Sequence, residues 1–376
     1  MTPTDSFARS KAWLLNRALP LWSTVGREPS GGFHERLDLT GVPDVSAPRR
    51  AMVQARQIAV FSLAHDRGWI DARDIVGPAV DHLIRTYHGR DGRPGWLFSV
   101  DGAGAPIDSR RDTYTHAFML FALGWARAVL DDPRLTTLAD QTLAAMDDLM
   151  AASPGGYRDA EDAAAEPLRQ NPHMHLIEAL TVLSQHIGKA DYRARADAVY
   201  AMFTGRFLLP GVNVLNEMFD AQWRAPPLEQ AVWEPGHHFE WVWLLHRYAG
   251  VSGQDVGAAA AALYDTAWSL GIDGEGLTVD EVSGDGRVLK ASRRCWPQTE
   301  TVKAHAAEHE AGRPGCRERA AAALHNLLDR YLAGPVDGGW IEHLDGEGKP
   351  MRNDIPASSL YHIGFAIAEA DRVFGG

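Results

Sequence analysis

A short Gly-rich segment recurs along the chain at a nearly constant interval, and an interval of this kind leaves few architectures open. The segments read GGFHERLD (Gly31–Asp38), PGWLFSVDG (Pro94–Gly102), GGYRDA (Gly155–Ala160), EGLTVDE (Glu275–Glu281) and GGWIEHLDG (Gly338–Gly346). Taking the residue after the turn glycine as a marker gives Phe33, Trp96, Tyr157, Leu277 and Trp340, with steps of 63, 61, 120 and 63 residues. The long step spans two periods and places a missing marker near position 217, within GVNVLNEMFD (Gly211–Asp220). Six units of about 61 residues fill the chain.

Between the markers lie Ala/Leu-rich stretches whose apolar residues recur at helical spacing. Twelve helices are expected, over 5–22, 50–66, 73–88, 111–130, 134–151, 167–187, 191–206, 236–249, 256–270, 296–311, 314–332 and 355–373. Start signals support three of them: Asp112, Asn171-Pro172 and Glu234-Pro235. A helix hairpin cannot bury both of its faces alone, so neighbouring units must stack. The expected fold is all-α, a single (α/α)6 barrel spanning residues 1–376, with short extended pieces in loops on one face. An open solenoid is the competitor, but such arrays use tighter repeats.

Composition excludes several functions. The chain carries 37 Lys+Arg against 49 Asp+Glu, a net charge of −12, and only five lysines. Without a basic tract, neither nucleic acid nor an anionic membrane is an expected partner. No apolar run is long enough to span a bilayer, and the N-terminal segment lacks a secretory pattern. Two cysteines, Cys295 and Cys316, make no disulfide framework, so the cytoplasm is the expected compartment. Oligomeric state stays open, a homodimer included.

Each Gly-rich loop precedes the second helix of its unit, so the loops gather where the even-numbered helices begin. Helix N-termini carry free N–H groups and the positive dipole end, which suit polar oxygens and developing negative charge. The unusual polar residues follow the same parity: Arg56 in helix two, His116 in helix four, His175 and Glu178 in helix six. His237 and Glu240 open helix eight, Gln298 and Glu300 open helix ten, and His362 lies in helix twelve. His237 and Glu240 are three apart and share a helical face, so the carboxylate is placed to orient the imidazole. Any one of these could be a satisfied core residue; their convergence is the functional signal. Trp96, Trp241, Trp243, Trp296 and Trp340 suit core packing or stacking on sugar rings.

No metal is expected. The groupings His173/His175, His237/His238/Glu240 and His305/His309 match no HExxH pattern, and the last pair is expected on a solvated face. Phosphate-cradling loops and a GxSxG elbow are also missing.

The run EPGHHFEWVWLL, taken with NPHMHLIEALTVL, RRAMVQARQIAVFS, WPQTE and the C-terminal YHI, resembles the N-acylglucosamine 2-epimerase superfamily across residues 8–373. That superfamily includes N-acylglucosamine and cellobiose 2-epimerases and D-mannose isomerases, and its fold is an (α/α)6 barrel. The resemblance implies that His237 and His362 are paired acid/base histidines and that Arg56 binds sugar oxygens. It implies that His175 and Glu240 bind substrate or tune the histidines, and that His116, Gln298 and Glu300 line the pocket, beside Glu178 and Trp296. The NPHMHLIEA segment is most similar to mannose isomerases. The implied reaction interconverts D-mannose and D-fructose through a cis-enediol(ate) without a cofactor. A 2-epimerase using the same two histidines is the alternative. Arg169 or Arg224 could reach an anionic tail, so free and phosphorylated sugars both stay open.

Overall fold

The computed structural model describes residues 3–164, 167–209 and 211–375. Twelve helices alternate with loops: α1 (3–24), α2 (Ala51–Asp66), α3 (Arg73–Tyr87), α4 (Thr113–Arg127), α5 (Arg134–Leu149) and α6 (Asn171–His186). The second half follows with α7 (190–207), α8 (Pro235–Ser252), α9 (Gly257–Leu270), α10 (Cys295–Glu310), α11 (316–331) and α12 (Leu360–Phe374). α1, α7 and α11 each contain one turn of π-helix. The start signals hold: Asp112 accepts the Thr115 N–H at 2.8 Å, Asn171-Pro172 opens α6, and Glu234 precedes Pro235 at the start of α8.

The even-numbered helices pack side by side into an inner ring. α2 meets α4, α4 meets α6, and so on to α12, which returns against α2. The odd-numbered helices form the outer layer. Inner helices are covered on every side, and Ala51 to Ala64 of α2 are all buried. Outer helices such as α3 bury one stripe, including Val76, Val80 and Leu83. This is an (α/α)6 barrel. No helix among the described residues is long and apolar enough to cross a membrane.

A second closure runs through the loops above the inner-helix N-termini. Short antiparallel pairs tie each unit to the next: Arg49–Arg50 with Ser99–Val100, Leu168–Arg169 with Met218–Phe219, and Val232–Trp233 with Val282–Ser283. Arg293–Arg294 then pairs with His343–Leu344, and Arg36–Asp38 pairs with Asp354–Pro356 to join the first unit to the last. An isolated bridge between Asp112 and Ala160 laces the remaining junction. Strand ends that would otherwise offer unpaired N–H and C=O groups are thereby satisfied.

In five of the six units, a side chain near the start of the inner helix grips the Gly-rich loop. The loop N–H groups of Phe33 and Thr278 donate to the Oε1 atoms of Gln54 and Gln298, at 2.8 and 2.9 Å. Those of Trp96, Tyr157 and Leu215 donate to Nε2 of His116, His173 and His238, at 3.1, 2.9 and 3.0 Å. The opposite ring nitrogen, Nδ1, donates to the carbonyl four residues back: Asp112, Arg169 and Glu234. A neutral imidazole and a carboxamide are equivalent here, because each offers one acceptor and at least one donor. Burial lowers His116 and His173 to about 4 and His238 to about 3, which keeps the acceptor nitrogen bare. The sixth unit differs: Glu342, in the loop itself, accepts from Trp340 Nε1 at 3.0 Å and from Ser359 Oγ, just before α12, at 2.9 Å. The turn glycines permit the approach. A Cβ on Gly95 (φ +82°) would lie 2.6 Å from His116 Nε2, and one on Gly156 (φ +72°) 2.8 Å from His173 Nε2.

Two sequence expectations change accordingly. His116 and Gln298 do not line a pocket; their hydrogen-bonding groups are spent on the loop backbone. Of the His305/His309 pair, His309 is exposed as expected, but His305 is buried with Nδ1 2.8 Å from the Tyr264 hydroxyl. Replacing His116 by Ala orphans the Trp96 N–H and is expected to cost about 1–3 kcal/mol, whereas His116→Gln should retain most of that. Urea midpoints of the two variants check this. Because these histidines are neutral when folded, their contribution is complete above about pH 6.5. It falls as acid drives protons onto the unfolded chain, down to their folded values near 4 and 3. His116→Gln should flatten that acid loss.

Candidate active site

A cavity of about 210 Å³ opens at the loop end of the inner ring. Five even-numbered helices supply its polar walls: Arg56 from α2, Tyr114 from α4, Asn171 and His175 from α6, His237 and Glu240 from α8, and His362 from α12. α10 supplies Trp296, while the laced loops add Glu234, Arg294 and Glu342. Of the residues expected from the sequence, Arg56, His175, His237, Glu240, Trp296 and His362 meet here. Glu178 and Glu300 lie one layer below, holding residues that do. Among the tryptophans, only Trp296 faces the cavity; Trp96, Trp241 and Trp340 are fully buried packing.

The two expected histidines pack against the same indole. The Trp296 ring centroid is 5.0 Å from that of His237 and 5.6 Å from that of His362. Their environments differ. His237 Nδ1 is 2.9 Å from Glu217 Oε1, whose other oxygen accepts from Gln170 Nε2 at 2.9 Å. Glu217 comes from the loop, so the expected orienting role of Glu240 passes to a residue with no motif around it. Burial works against charge on His237, yet Glu217 and Glu234 outweigh it and lift the imidazole to about 9. His362 Nδ1 is 2.7 Å from Glu300 Oε1. Burial, then the positive charges of Arg56 and Lys303, hold His362 well below the ordinary histidine range. At neutral pH one imidazole is charged and its neighbour is not.

Arg56 is gripped from several sides. Its Nη2 donates to the Tyr114 hydroxyl at 2.6 Å and Nη1 to the Ser358 carbonyl at 3.2 Å, while the guanidinium lies over Phe118 at 4.2 Å. Its Nε is buried without a partner. His175 Nδ1 is 3.1 Å from Glu178 Oε2, and the Tyr361 hydroxyl donates to Glu178 Oε1. Burial pushes Glu178 up to about 7, and Glu342 likewise. Glu240 Oε1 is buried and unpaired. Arg294 is committed to Glu234 Oε2 at 2.6 Å and Asp280 Oδ1 at 3.0 Å.

Donor-type atoms of His175, Glu178 and Glu240, and of Glu240, Glu300 and His362, come within 4.8 Å of one another. Glu178 is joined to Tyr361 and His175, and Glu300 to Lys303 and His362, while Glu240 keeps an unpaired oxygen; Arg56 and Lys303 bring two positive charges to the same floor. Those contacts and charges compete with a cation for the same atoms. A larger recess of about 600 Å³ adjoins the cavity through Tyr114 and Asn171. Its arginines are occupied: Arg169 by Asp159, and Arg110 by Asp108 and the Phe98 ring. Arg224, bound to Asp220, does not line the cavity.

Tyr114, Glu217, Arg294 and Glu342 were not singled out in the sequence. Tyr114 carries a signal in hindsight, two residues before His116 at the start of an inner helix. The loop residues carry none, because only the lacing of units brings them to the cavity.

The comparisons with known proteins agree with this geometry. The family described as N-acylglucosamine 2-epimerase (GlcNAc 2-epimerase) matches residues 31–366. The chain is 32% identical over 372 residues to the mannose-6-phosphate isomerase of Rhizobium meliloti, covering 96% of this chain and 95% of that protein. It is 28% identical to the D-mannose isomerase of Thermobifida fusca, covering 92% and 89% of the two chains. In fold it superimposes on a cellobiose 2-epimerase from Bacillus thermoamylovorans with a TM-score of 0.88 at 19% identity, over 96% of this chain and 98% of that one. With a barrel of six helix hairpins and a family match over most of its length, the chain belongs to the N-acylglucosamine 2-epimerase family of sugar epimerases and isomerases.

Proposed function

We propose that this protein interconverts D-mannose and D-fructose by proton transfer through a cis-enediolate. The observation that carries the reading is the pair of imidazoles beside Trp296, one held protonated and the other held neutral. Two relatives are named as isomerases of mannose or its phosphate.

In this reaction His237 acts first, as an acid. It protonates the pyranose ring oxygen as the C1–O bond to it breaks and takes up the proton lost by the O1 hydroxyl, which frees the C1 aldehyde and restores the imidazolium. The C2 proton, acidified by that carbonyl, passes to Nε2 of His362, the nitrogen not occupied by Glu300. Negative charge then develops on O1 and O2 and is offset by Arg56 and by the N-terminal ends of the inner helices. Return of the proton to C1, with transfer of the O2 hydroxyl proton to O1, gives fructose. A neutral base and a protonated acid are both available at pH 7, which general acid–base catalysis requires. A 2-epimerase would share the enediolate but reprotonate C2 from the other face, with His237 as donor.

The polar walls favour an uncharged sugar. Glu234, Glu240 and Glu342 line the cavity, and Arg294 is already paired with Glu234 and Asp280. A phosphate would meet these carboxyls without a spare cation at Arg294. Incubation with mannose, fructose, glucose, N-acetylmannosamine, cellobiose and mannose 6-phosphate, followed by chromatography, tests the reading. Fructose from mannose is expected; glucose from mannose would replace the isomerase by an epimerase.

His362→Ala should lower turnover by roughly 10²–10⁴-fold, and near wild-type turnover would end its assignment as base. Activity should fall as pH rises through about 9, where His237 loses its proton. Glu217→Gln removes the foremost influence raising His237, so the alkaline limb of kcat/KM should move to lower pH.

A further inference from the structure

Beneath His362 lies an ammonium group that the reaction above does not use. Lys303 is completely buried on α10, one turn after Glu300, with Nζ 2.6 Å from Glu300 Oε2. Its charge rests 4.0 Å from the centre of the Trp243 indole and 5.7 Å from that of the Tyr361 ring. The contacts form a line: Lys303 Nζ to Glu300 Oε2, then Glu300 Oε1 to His362 Nδ1 at 2.7 Å. A buried lysine is costly and needs a compensating role.

The groups around this line set its charge balance. Glu300 first, then Glu240 from α8 and Glu178 from α6, raise Lys303 above the ordinary lysine range against the pull of burial. Burial and the carboxylates of Glu240 and Glu178 raise Glu300 well above the ordinary carboxylate range, and Lys303 is the group in direct contact that opposes them. Arg56 from α2, His175 from α6 and His237 from α8 act on His362 in the same sense as Lys303, disfavouring its charged form. Among the lysines and arginines of the described residues, Lys303 is the one ion-paired with Glu300, whose other oxygen meets His362.

We propose that Lys303 is a positioning residue: its ammonium keeps the Glu300 carboxylate ionised, which fixes the hydrogen of His362 on Nδ1 and leaves Nε2 bare toward the cavity. The Glu300 carboxylate needs one adjacent positive charge in this dry floor. Lys303 supplies it permanently, so His362 does not have to. Without Lys303 the charge must come from a proton. If Glu300 takes that proton, the acid donates to Nδ1 and the ring carries its own hydrogen on Nε2. If His362 takes it instead, the imidazolium has hydrogens on both nitrogens. Either way Nε2 can no longer accept.

The inference concerns how the floor holds His362 and rests on the proposed reaction only where turnover is read. Two measurements keep the failures apart. Nitrogen-15 NMR of labelled wild-type protein, which needs no substrate, should show neutral His362 with its hydrogen on Nδ1 across pH 6–9; a hydrogen on Nε2 overturns the proposal. D-mannose turnover is then compared for wild type, Lys303→Met and Lys303→Arg. Lys303→Met should lose about 10²-fold or more at pH 7, the scale of a lost general base. Its residual activity should show an acid limb of kcat/KM moved up by about one pH unit or more, with KM little changed. Lys303→Arg, which keeps the charge, should retain the wild-type acid limb. A Lys303→Met enzyme with an unmoved acid limb would also overturn the proposal. If mannose is not turned over at all, the proposed reaction fails, and the same NMR measurement on Lys303→Met decides the role of Lys303: a hydrogen appearing on Nε2 of His362 supports it, and a neutral ring with its hydrogen still on Nδ1 overturns it.

Discussion

A hydrogen bond from a loop N–H to a Gln or His at the head of an inner helix recurs round the barrel, and the position of every cavity residue depends on it. The helices alone would make a stack of hairpins with long, mobile connections. The clamp draws each Gly-rich strand down onto its inner helix, at Gln54, His116, His173, His238 and Gln298. Held there, the strand ends of adjacent units lie close enough to pair, and the lacing closes into a belt. Loops fixed on both sides can then aim Glu217, Glu234, Arg294 and Glu342 inward. Catalytic groups borne by loops need such a rigid support.

The same residue type serves two opposite purposes in this protein, and burial with partner decides which. His238 and His237 are adjacent on α8. His238 turns outward to a backbone N–H and a carbonyl, with no carboxylate in contact, and stays neutral well into acid. His237 turns inward to Glu217 and stays charged to about pH 9. A separation of one residue thus spans roughly six pH units. His362 is held neutral by burial first and then also by the positive charges of Arg56 and Lys303 and by the other imidazoles.

Much of the barrel can be read from the chain. A period near 61 residues counts the units, the apolar spacing locates twelve helices, and parity says which helices face inward. The turn glycines and the inner-ring polar residues are visible for the same reason: a repeat places equivalent residues at equivalent positions. Two roles are not. His116 and Gln298 have the spacing and helix of cavity residues, and nothing local distinguishes a side chain reaching for its own loop from one reaching for the axis. Glu240 stands one turn from His237, yet the partner that touches the ring is Glu217, twenty residues away across a loop.

The sequence by itself therefore determined the number of units, their helix–loop–helix order and the set of helix starts from which polar groups converge. Those follow from periodicity and from the need of each hairpin to bury its second face. Tertiary structure alone decided the pairing of side chains within the floor: Glu217 with His237, Glu300 with both His362 and Lys303, Glu178 with both His175 and Tyr361. Such pairings depend on ångström-scale distances between segments far apart in the chain. They set the protonation states, because in a dry interior the charge of each group is governed by what it touches.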